Sequence, residues 1–356
     1  MKKTWRILDT GLRRAAENIA FNRALLESRQ AEEAPSTLRF LRFTPSALLG
    51  FHQSAAQELN LDYCRAHSVA IQRRITGGGA IYFDETQLGW ELYLQRSELG
   101  CTDMQAISHR ICTAAARGIQ TLGVNAQYRP RNDIEVNGRK ISGTGGAFDG
   151  DALMFQGTLL LQFDVEKMLR VLRIPAEKLS DKAIASARER VANMAELLGS
   201  PPELKVVQQH LAAAFAAEFD VIFTPGELTA QEQARFDLAL TEIDCDDWVY
   251  LQSHSETERP VLEATMKFPA GLVTVRVNYD QARGRLQQVW FSGDFFVSPR
   301  RTIADLEAAL RDSDARAVRH NVAAFFATRQ VDMLGLCADD LSAVIEAALA
   351  QQAVAS

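Results

Sequence analysis

Residues 133–142 read DIEVNGRKIS, and their reading decides how the middle of this 356-residue chain folds. Asn137-Gly138 between strand-like residues is the strongest short signal for a β-hairpin, because both central turn positions need positive φ. A two-residue loop pairs Val136 with Arg139, Glu135 with Lys140, Ile134 with Ile141 and Asp133 with Ser142. Side chains alternate along a strand, so Asp133, Glu135, Lys140 and Ser142 are expected on one face. Ile134, Val136 and Ile141 take the other, with Arg139 at the tip. One face meets apolar core; the other carries a polar cluster centred on Lys140. That lysine has two readings. It is a weakly stabilising cross-strand partner of Glu135, or a cation that neutralises a carboxylate attacking a phosphate.

Working outward, GTGGAFDGD (143–151) reads as a flexible glycine loop and QGTLLLQFD (156–164) as a returning strand. Upstream, Leu88, Trp90, Leu92 and Leu94 alternate in LGWELYL as in a half-buried strand. Ile107, Ile111, Ala114, Ala115, Gly118 and Leu122 keep helical spacing, which predicts a core-packed helix over 104–122. LRFLRF (38–43) is a β-like run stopped by Pro45, and Ala15, Ile19 and Leu26 share one helical face. Downstream, Ser180-Asp181 caps a helix expected to run through SARERVANMAELLG and to stop at Gly199 and Pro201-Pro202. A second helix covers about 203–218, and TPGELTAQEQARFDLALTE reads as a connecting helix. A separate unit starts near 244, with hairpin-like KFPAGLVTVRVNYDQARGRLQQVWFSGDFF and helices near 302–312, 315–328 and 338–352.

A second stretch, RRITGGGAIYFD (73–84), sets Gly77, Gly78 and Gly79 directly after two arginines. Each glycine raises the entropy lost on folding, so a triplet needs a compensating reason. One reason is a turn at a strand entry. The other is a backbone that must come close to something, and bare N–H groups beside a guanidinium make an anion cradle suited to phosphate. No GxxxxGK[ST] occurs, and GTGGAFDG has Phe148 where GxGxxG needs its last glycine, so nucleotide chemistry here is neither P-loop nor Rossmann.

Composition is that of a globular protein, with 47% hydrophobic and 24% charged residues. A net charge of −6 gives no global pointer to nucleic acid or anionic membrane. The first twenty residues lack the apolar core of a signal peptide, and no stretch approaches a membrane span of about 20 apolar residues. Five cysteines (64, 101, 112, 245, 337) without a CxxC pair suit a reduced cytoplasmic setting rather than a disulfide framework or zinc site. The six histidines show no metal-ligand spacing. Cys112 falls within the predicted 104–122 helix, where a small buried hydrophobe is the default reading.

RRITGGGAIYFD, followed by NDIEVNGRKISGTGG and then QGTLLL, resembles the lipoate-protein ligase A family. KLSDKAIASARERVANMAELLG is similar to that family's loop and helix after the core sheet, and the WFSGDFF tail to its small accessory domain. The resemblance implies an α+β, biotinyl/lipoyl ligase-like catalytic domain over 1–243, built on a mostly antiparallel sheet with flanking helices. A small α+β accessory domain over 244–356 should follow. It implies an ATP-dependent enzyme that converts lipoate to lipoyl-AMP and then acylates a lysine of a carrier. That carrier is a 2-oxoacid dehydrogenase E2 domain, a glycine-cleavage H-like protein or a lipoate-binding protein. By the same matching Lys140 is the catalytic lysine. Arg74, Gly77, Gly78, Gly79, Ala80, Ile81, Tyr82 and Thr158 bind nucleotide, and Asp133 holds Mg²⁺ with the phosphates. Departures occur at Thr76, Phe83, Gln156 and in KISGTGG, around the acyl site. Rival readings are octanoyl or lipoyl transfer from an acyl carrier protein, and a non-catalytic relative that binds lipoyl domains. Against a cysteine transferase, the stretch 125–131 holds no thiol. Biotin ligation would need a GRGRxxR-type loop, which is absent.

Overall fold

The computed structural model describes residues 2–100, 103–130, 132–173, 187–251 and 261–351. Contacts divide the chain into two compact units. One comprises Met1–Leu48, Leu59–Gln72 and Ile81–Val249; the other comprises Leu49–Glu58, Arg73–Ala80 and Tyr250–Ser356. The second unit thus draws in two short excursions from the first third of the sequence, and the glycine triplet lies in one of them.

The first unit is organised by an eight-stranded sheet in the order β11-β1-β2-β6-β10-β9-β8-β7. Its strands are β1 (Lys3–Arg13), β2 (Thr37–Phe43), β6 (Gln87–Gln95), β7 (Gln127–Arg129), β8 (Asp133–Val136), β9 (Arg139–Asp149), β10 (Ala152–Leu160) and β11 (Val221–Pro225). β1 runs parallel to both β11 and β2; every other pairing is antiparallel, so the expected mostly antiparallel sheet is present. A smaller sheet sets β3 (Ser46–Leu49) between β4 (Ala70–Arg73) and β5 (Ile81–Phe83).

The alternation in LGWELYL does mark a strand, but not a half-buried one: β6 is buried at every residue. Leu88, Trp90, Leu92 and Leu94 enter the core with Ile111 and Phe215, from the helices Met104–Gln120 and Leu204–Phe219. The opposite face is closed by the helix Ala15–Gln30. There Glu91 accepts hydrogen bonds from Arg39 (2.9 Å), Asn22 (2.6 Å) and Tyr93 (2.6 Å), and Arg39 also donates to Asn18. A buried carboxylate needs such complete pairing, and the network supplies it.

GTGGAFDGD is strand rather than loop. β9 continues through it to Asp149, because β10 starts at Ala152 and pairs with it from Asp149 back to Thr144. The helix expected through SARERVANMAELLG is interrupted rather than continuous. Ser180-Asp181 lies outside the described residues. Residues 187–188 are helical and 189–190 turn, Val191 bridges to Lys140 of β9, and a further helix covers Met194–Leu198, closed by Gly199 with φ 81°. Ala230–Ile243 is not a mere connector. Thr229 and Glu232 form its capping box, Phe236 packs on Phe21 at 4.3 Å, and the fully buried Glu232 pairs with Arg6 of β1.

In the second unit β12 (Val261–Phe268), β13 (Gly271–Asp280) and β14 (Arg285–Gly293) form an antiparallel meander. Helices Thr302–Leu310, Val318–Ala327 and Ala338–Ala350 contribute to its core. Val273, Val275, Val277 and Phe291 meet Leu306, Val322 and Ile345 there. No helix among the described residues is long and apolar enough to cross a membrane.

Candidate active site

The β8–β9 hairpin turns where the sequence predicts, with Asn137 at φ 51° and Gly138 at φ 78°. Its first two pairs, Val136–Arg139 and Glu135–Lys140, are those expected. A bulge follows: Ile134 pairs with Ser142 and Asp133 with Gly143, so Ile141 is the extra residue. This corrects the predicted face. Ser142 is fully buried instead of joining the polar cluster, while Asp133, Glu135 and Lys140 stay half-buried.

The bulge also changes the partners. Lys140 Nζ lies 2.7 Å from Asp133 Oδ1, and Glu135 instead faces Arg129 at 3.6 Å. The Lys140–Glu135 ion pair, one of the two readings of that lysine, is therefore not the pair formed. Gly143 sits under the lysine: a Cβ built there would meet Lys140 Cε and Nζ at 3.0 Å and Thr158 Oγ1 at 3.9 Å. The Thr158 hydroxyl donates to the Gly143 carbonyl at 3.4 Å, or accepts from its N–H at 3.3 Å. Lys140, Asp133 and Thr158 are thus brought together around Gly143, a residue the sequence reading passed over as loop. The main chain of Lys140 is held as well. Its N–H donates to Arg190 O and its carbonyl accepts from Ala192 N–H, both at 2.8 Å.

The 73–80 excursion, in the second unit, is built differently from an open cradle. Arg73 donates to the carbonyls of Gly50 (3.1 Å), Phe51 (2.8 Å) and Gln53 (2.6 Å). Arg74 donates to the carbonyls of Gly77 (3.1 Å) and Gly79 (2.9 Å), and Gly78 N–H bonds Phe295 O at 3.4 Å. Burial lowers the pKa of each arginine to about 10, so both stay charged near neutrality. In this arrangement Arg74 shapes the glycine loop. Ala80 is half-buried beside it.

Ile81 and Tyr82 belong to the first unit, in β5, paired with Leu48 and Ala47. The Tyr82 ring is buried, its hydroxyl donating to Asp84 at 2.9 Å with Lys167 Nζ 5.2 Å from the ring centre. Burial foremost, then the Asp84 carboxylate, pushes that phenol well above its ordinary range.

Cys112 is fully buried, with Sγ 3.2 Å from Thr144 Oγ1. Burial pushes its thiol up to about 11, the Thr144 contact opposing this, so it is protonated near neutrality. Cys64 is buried too, while Cys245 and Cys337 are exposed free thiols. Among the described residues no three His, Cys, Asp or Glu side chains gather as a metal cage. A lone carboxylate at Asp133 fits Mg²⁺ only as one oxygen ligand to an ion carried by phosphates.

Residues 14–216 match the family described as the lipoyl protein ligase A/B catalytic domain. The chain is 30% identical over 293 residues to lipoate–protein ligase 1 of Staphylococcus aureus, covering 82% of this chain and 85% of that one. It is 27% identical over 272 residues to the octanoyltransferase LipM of Kyrpidia tusciae, covering 70% of this chain and 99% of that one. Among solved structures it is similar to one from an archaeal lipoylation system of Thermoplasma acidophilum, described as a bipartite lipoate protein ligase and its E2 lipoyl domain. That match has a TM-score of 0.62 and 25% identity over 72% of this chain and 99% of that one. With the Lys140 hairpin, the antiparallel sheet and these likenesses in place, the chain belongs to the lipoyl protein ligase A/B catalytic domain family.

Proposed function

We propose that this protein is an ATP-dependent lipoate-protein ligase. The observation that carries the reading is the Lys140 ammonium, fixed by Asp133 and laid over Gly143 beside Thr158. An oxygen of the lipoate carboxylate attacks the α-phosphorus of ATP, and the bond to the bridging oxygen breaks to release pyrophosphate. Two anions must approach, and a positioned cation stabilises the charge that builds between them. The amine of a carrier lysine then attacks the acyl carbonyl of lipoyl-AMP. The acyl–oxygen bond breaks, AMP departs, and the amine loses a proton. In this reading Lys140 serves the first step, Thr158 keeps Gly143 flat beneath it, and Arg74 with Gly77 to Tyr82 takes the nucleotide. Mg²⁺ borne by the phosphates would supply further charge neutralisation, with Asp133 as its protein ligand. The carrier is a lipoyl domain or lipoyl carrier protein, and a cytoplasmic setting belongs to the same proposal.

The octanoyltransferase relatives make thioester chemistry the rival. This chain offers no thiol at 125–131, and its Cys112 is buried and protonated. A ligase needs none, since the adenylate is already an activated anhydride. Lys140→Ala is expected to lower lipoate-dependent pyrophosphate release by on the order of a hundredfold or more, with the fold intact because the side chain is half-exposed. Wild-type release from that variant would reduce Lys140 to an ion-pair partner of Asp133. Cys112→Ala should keep full ATP-dependent activity, with a modest stability loss from the vacated core volume. Transfer from an acyl carrier protein without ATP, abolished by that substitution, would overturn the ligase assignment.

A further inference from the structure

The β9–β10 ladder ends at the pair Thr144–Gly157, before it reaches Lys140. On that side the main-chain N–H and C=O of Lys140 have no strand to pair with, and unpaired backbone groups in a half-buried position are costly. The segment Arg190–Ala192 fills the gap as a parallel bridge, taking both groups at 2.8 Å. What fixes that segment is the next residue. Asn193 Oδ1 accepts from Phe163 N–H at 2.8 Å, and its Nδ2 donates to Phe163 O at 3.0 Å. Phe163 lies just beyond β10, the strand that carries Thr158.

We propose that Asn193 is a positioning residue for Lys140: its carboxamide ties the Arg190–Ala192 strap to Phe163, and the strap sets where the lysine's ammonium can reach. Asparagine suits the task because one short side chain offers a donor and an acceptor in the plane of a peptide. Aspartate keeps the acceptor alone, and alanine keeps neither. Ala195 N–H to Leu161 O at 2.9 Å and Arg139 to Glu196 at 2.8 Å are further ties, so losing Asn193 loosens the strap without freeing it. A shift of about 1 Å in a reacting group costs about a hundredfold in rate when the geometry matters only in the transition state.

This inference rests on the adenylation reading, and the test separates the two. Pyrophosphate release with lipoate and MgATP is measured beside amide hydrogen exchange in wild type, Asn193→Ala and Asn193→Asp. The expected result for Asn193→Ala is a kcat reduced about ten- to a hundredfold with both KM values nearly unchanged. The amides of Lys140 and Ala192 should exchange faster while those of β6 do not, and Asn193→Asp should fall between. A normal kcat, or a reduced kcat with Lys140 and Ala192 still protected, overturns the proposal. If the alanine variant exchanges throughout the unit, Asn193→Asp decides by the same two readings. If wild type releases no pyrophosphate, the ligase reading fails, and the kcat comparison moves to octanoyl transfer from an acyl carrier protein. The exchange of Lys140 and Ala192 still decides the strap.

Discussion

A Cβ added to Gly77 would fall on the carbonyl oxygen of Phe295, whereas one added to Gly79 would find its nearest atom, the Cβ of Asp294, at 3.8 Å. Gly78 differs again, with φ 91°, where a side chain is strained whatever the space. Three adjacent glycines are therefore glycine for separate reasons, two of them internal to the second unit. Gly77→Ala forces main chain off main chain, and its cost is expected at about 1–3 kcal/mol, the range of overpacking. Gly79→Ala meets neither obstacle, so its thermal midpoint should stay at or slightly above that of wild type. If the backbone at 79 is bare because nucleotide lies against it, the same substitution raises KM for ATP. Melting curves and ATP titrations of the two variants read these effects separately. An unchanged KM in Gly79→Ala would remove residue 79 from the nucleotide site.

At the scale of elements, the pair Arg6–Glu232 joins the parallel edge of the main sheet to the helix Ala230–Ile243. Glu232 is fully buried, and it also accepts the Thr229 N–H at 2.7 Å in the capping box. Glu232→Ala leaves the Arg6 guanidinium buried with only the Thr37 hydroxyl and Glu227 carbonyl, and breaking such a pair costs about 3–5 kcal/mol. Urea denaturation is expected to show that loss; a change below about 1 kcal/mol would mean that water replaces the carboxylate. The helix itself was legible in TPGELTAQEQARFDLALTE, but its buried partner, 226 residues away, was not. The same divide runs through the candidate site. Asn137-Gly138 announces its turn because the requirement for positive φ is local. The bulge at Ile141 has no local signature, so the pairing of Lys140 with Asp133 had to come from the structure. GTGGAFDGD looked like loop because glycine weakens strands. It is strand because β10 pairs with it, and because Gly143 and Gly146 sit where Lys140 and Phe155 leave little room for a side chain. Lys140 and Asp133 were legible on one face of the hairpin, and the family resemblance gave their roles and added Thr158. Gly143, Asn193 and the strap were not, since tertiary hydrogen bonds define them.

For the molecule as two units, the second holds two deeply buried groups, Glu307 and His52, whose titrations have opposite sense. Burial raises Glu307 to about 7, opposed by the hydrogen bond it accepts from Phe291 N–H at 2.7 Å. Burial, and then the Arg73 charge, lowers His52 to about 3, where it stacks on Phe295. The folded unit holds the Glu307 proton more tightly than the unfolded chain does. That contribution is complete below the ordinary glutamate pKa of about 4.5 and is lost as pH rises through 7. The His52 contribution is complete above the ordinary histidine pKa of about 6.5 and is lost as pH falls toward 3. Between these limits the contributions of the two groups offset each other. Glu307→Gln keeps an acceptor for Phe291 and removes the titration. It should therefore raise the unit's stability at pH 8, where the buried carboxylate is charged, and change it little at pH 5, where Glu307 is already neutral. With Glu307 silent, acidification from pH 7 should destabilise the variant more than wild type as unfolded His52 takes up its proton. Amide exchange across β13 and β14 between pH 5 and 8 reads this unit, with β6 and β10 as the internal reference for the other. The excursion 73–80 belongs to the second unit, so its amides should follow β13 and not β6. An equal shift at both pH values would show that Glu307 acts through packing rather than charge.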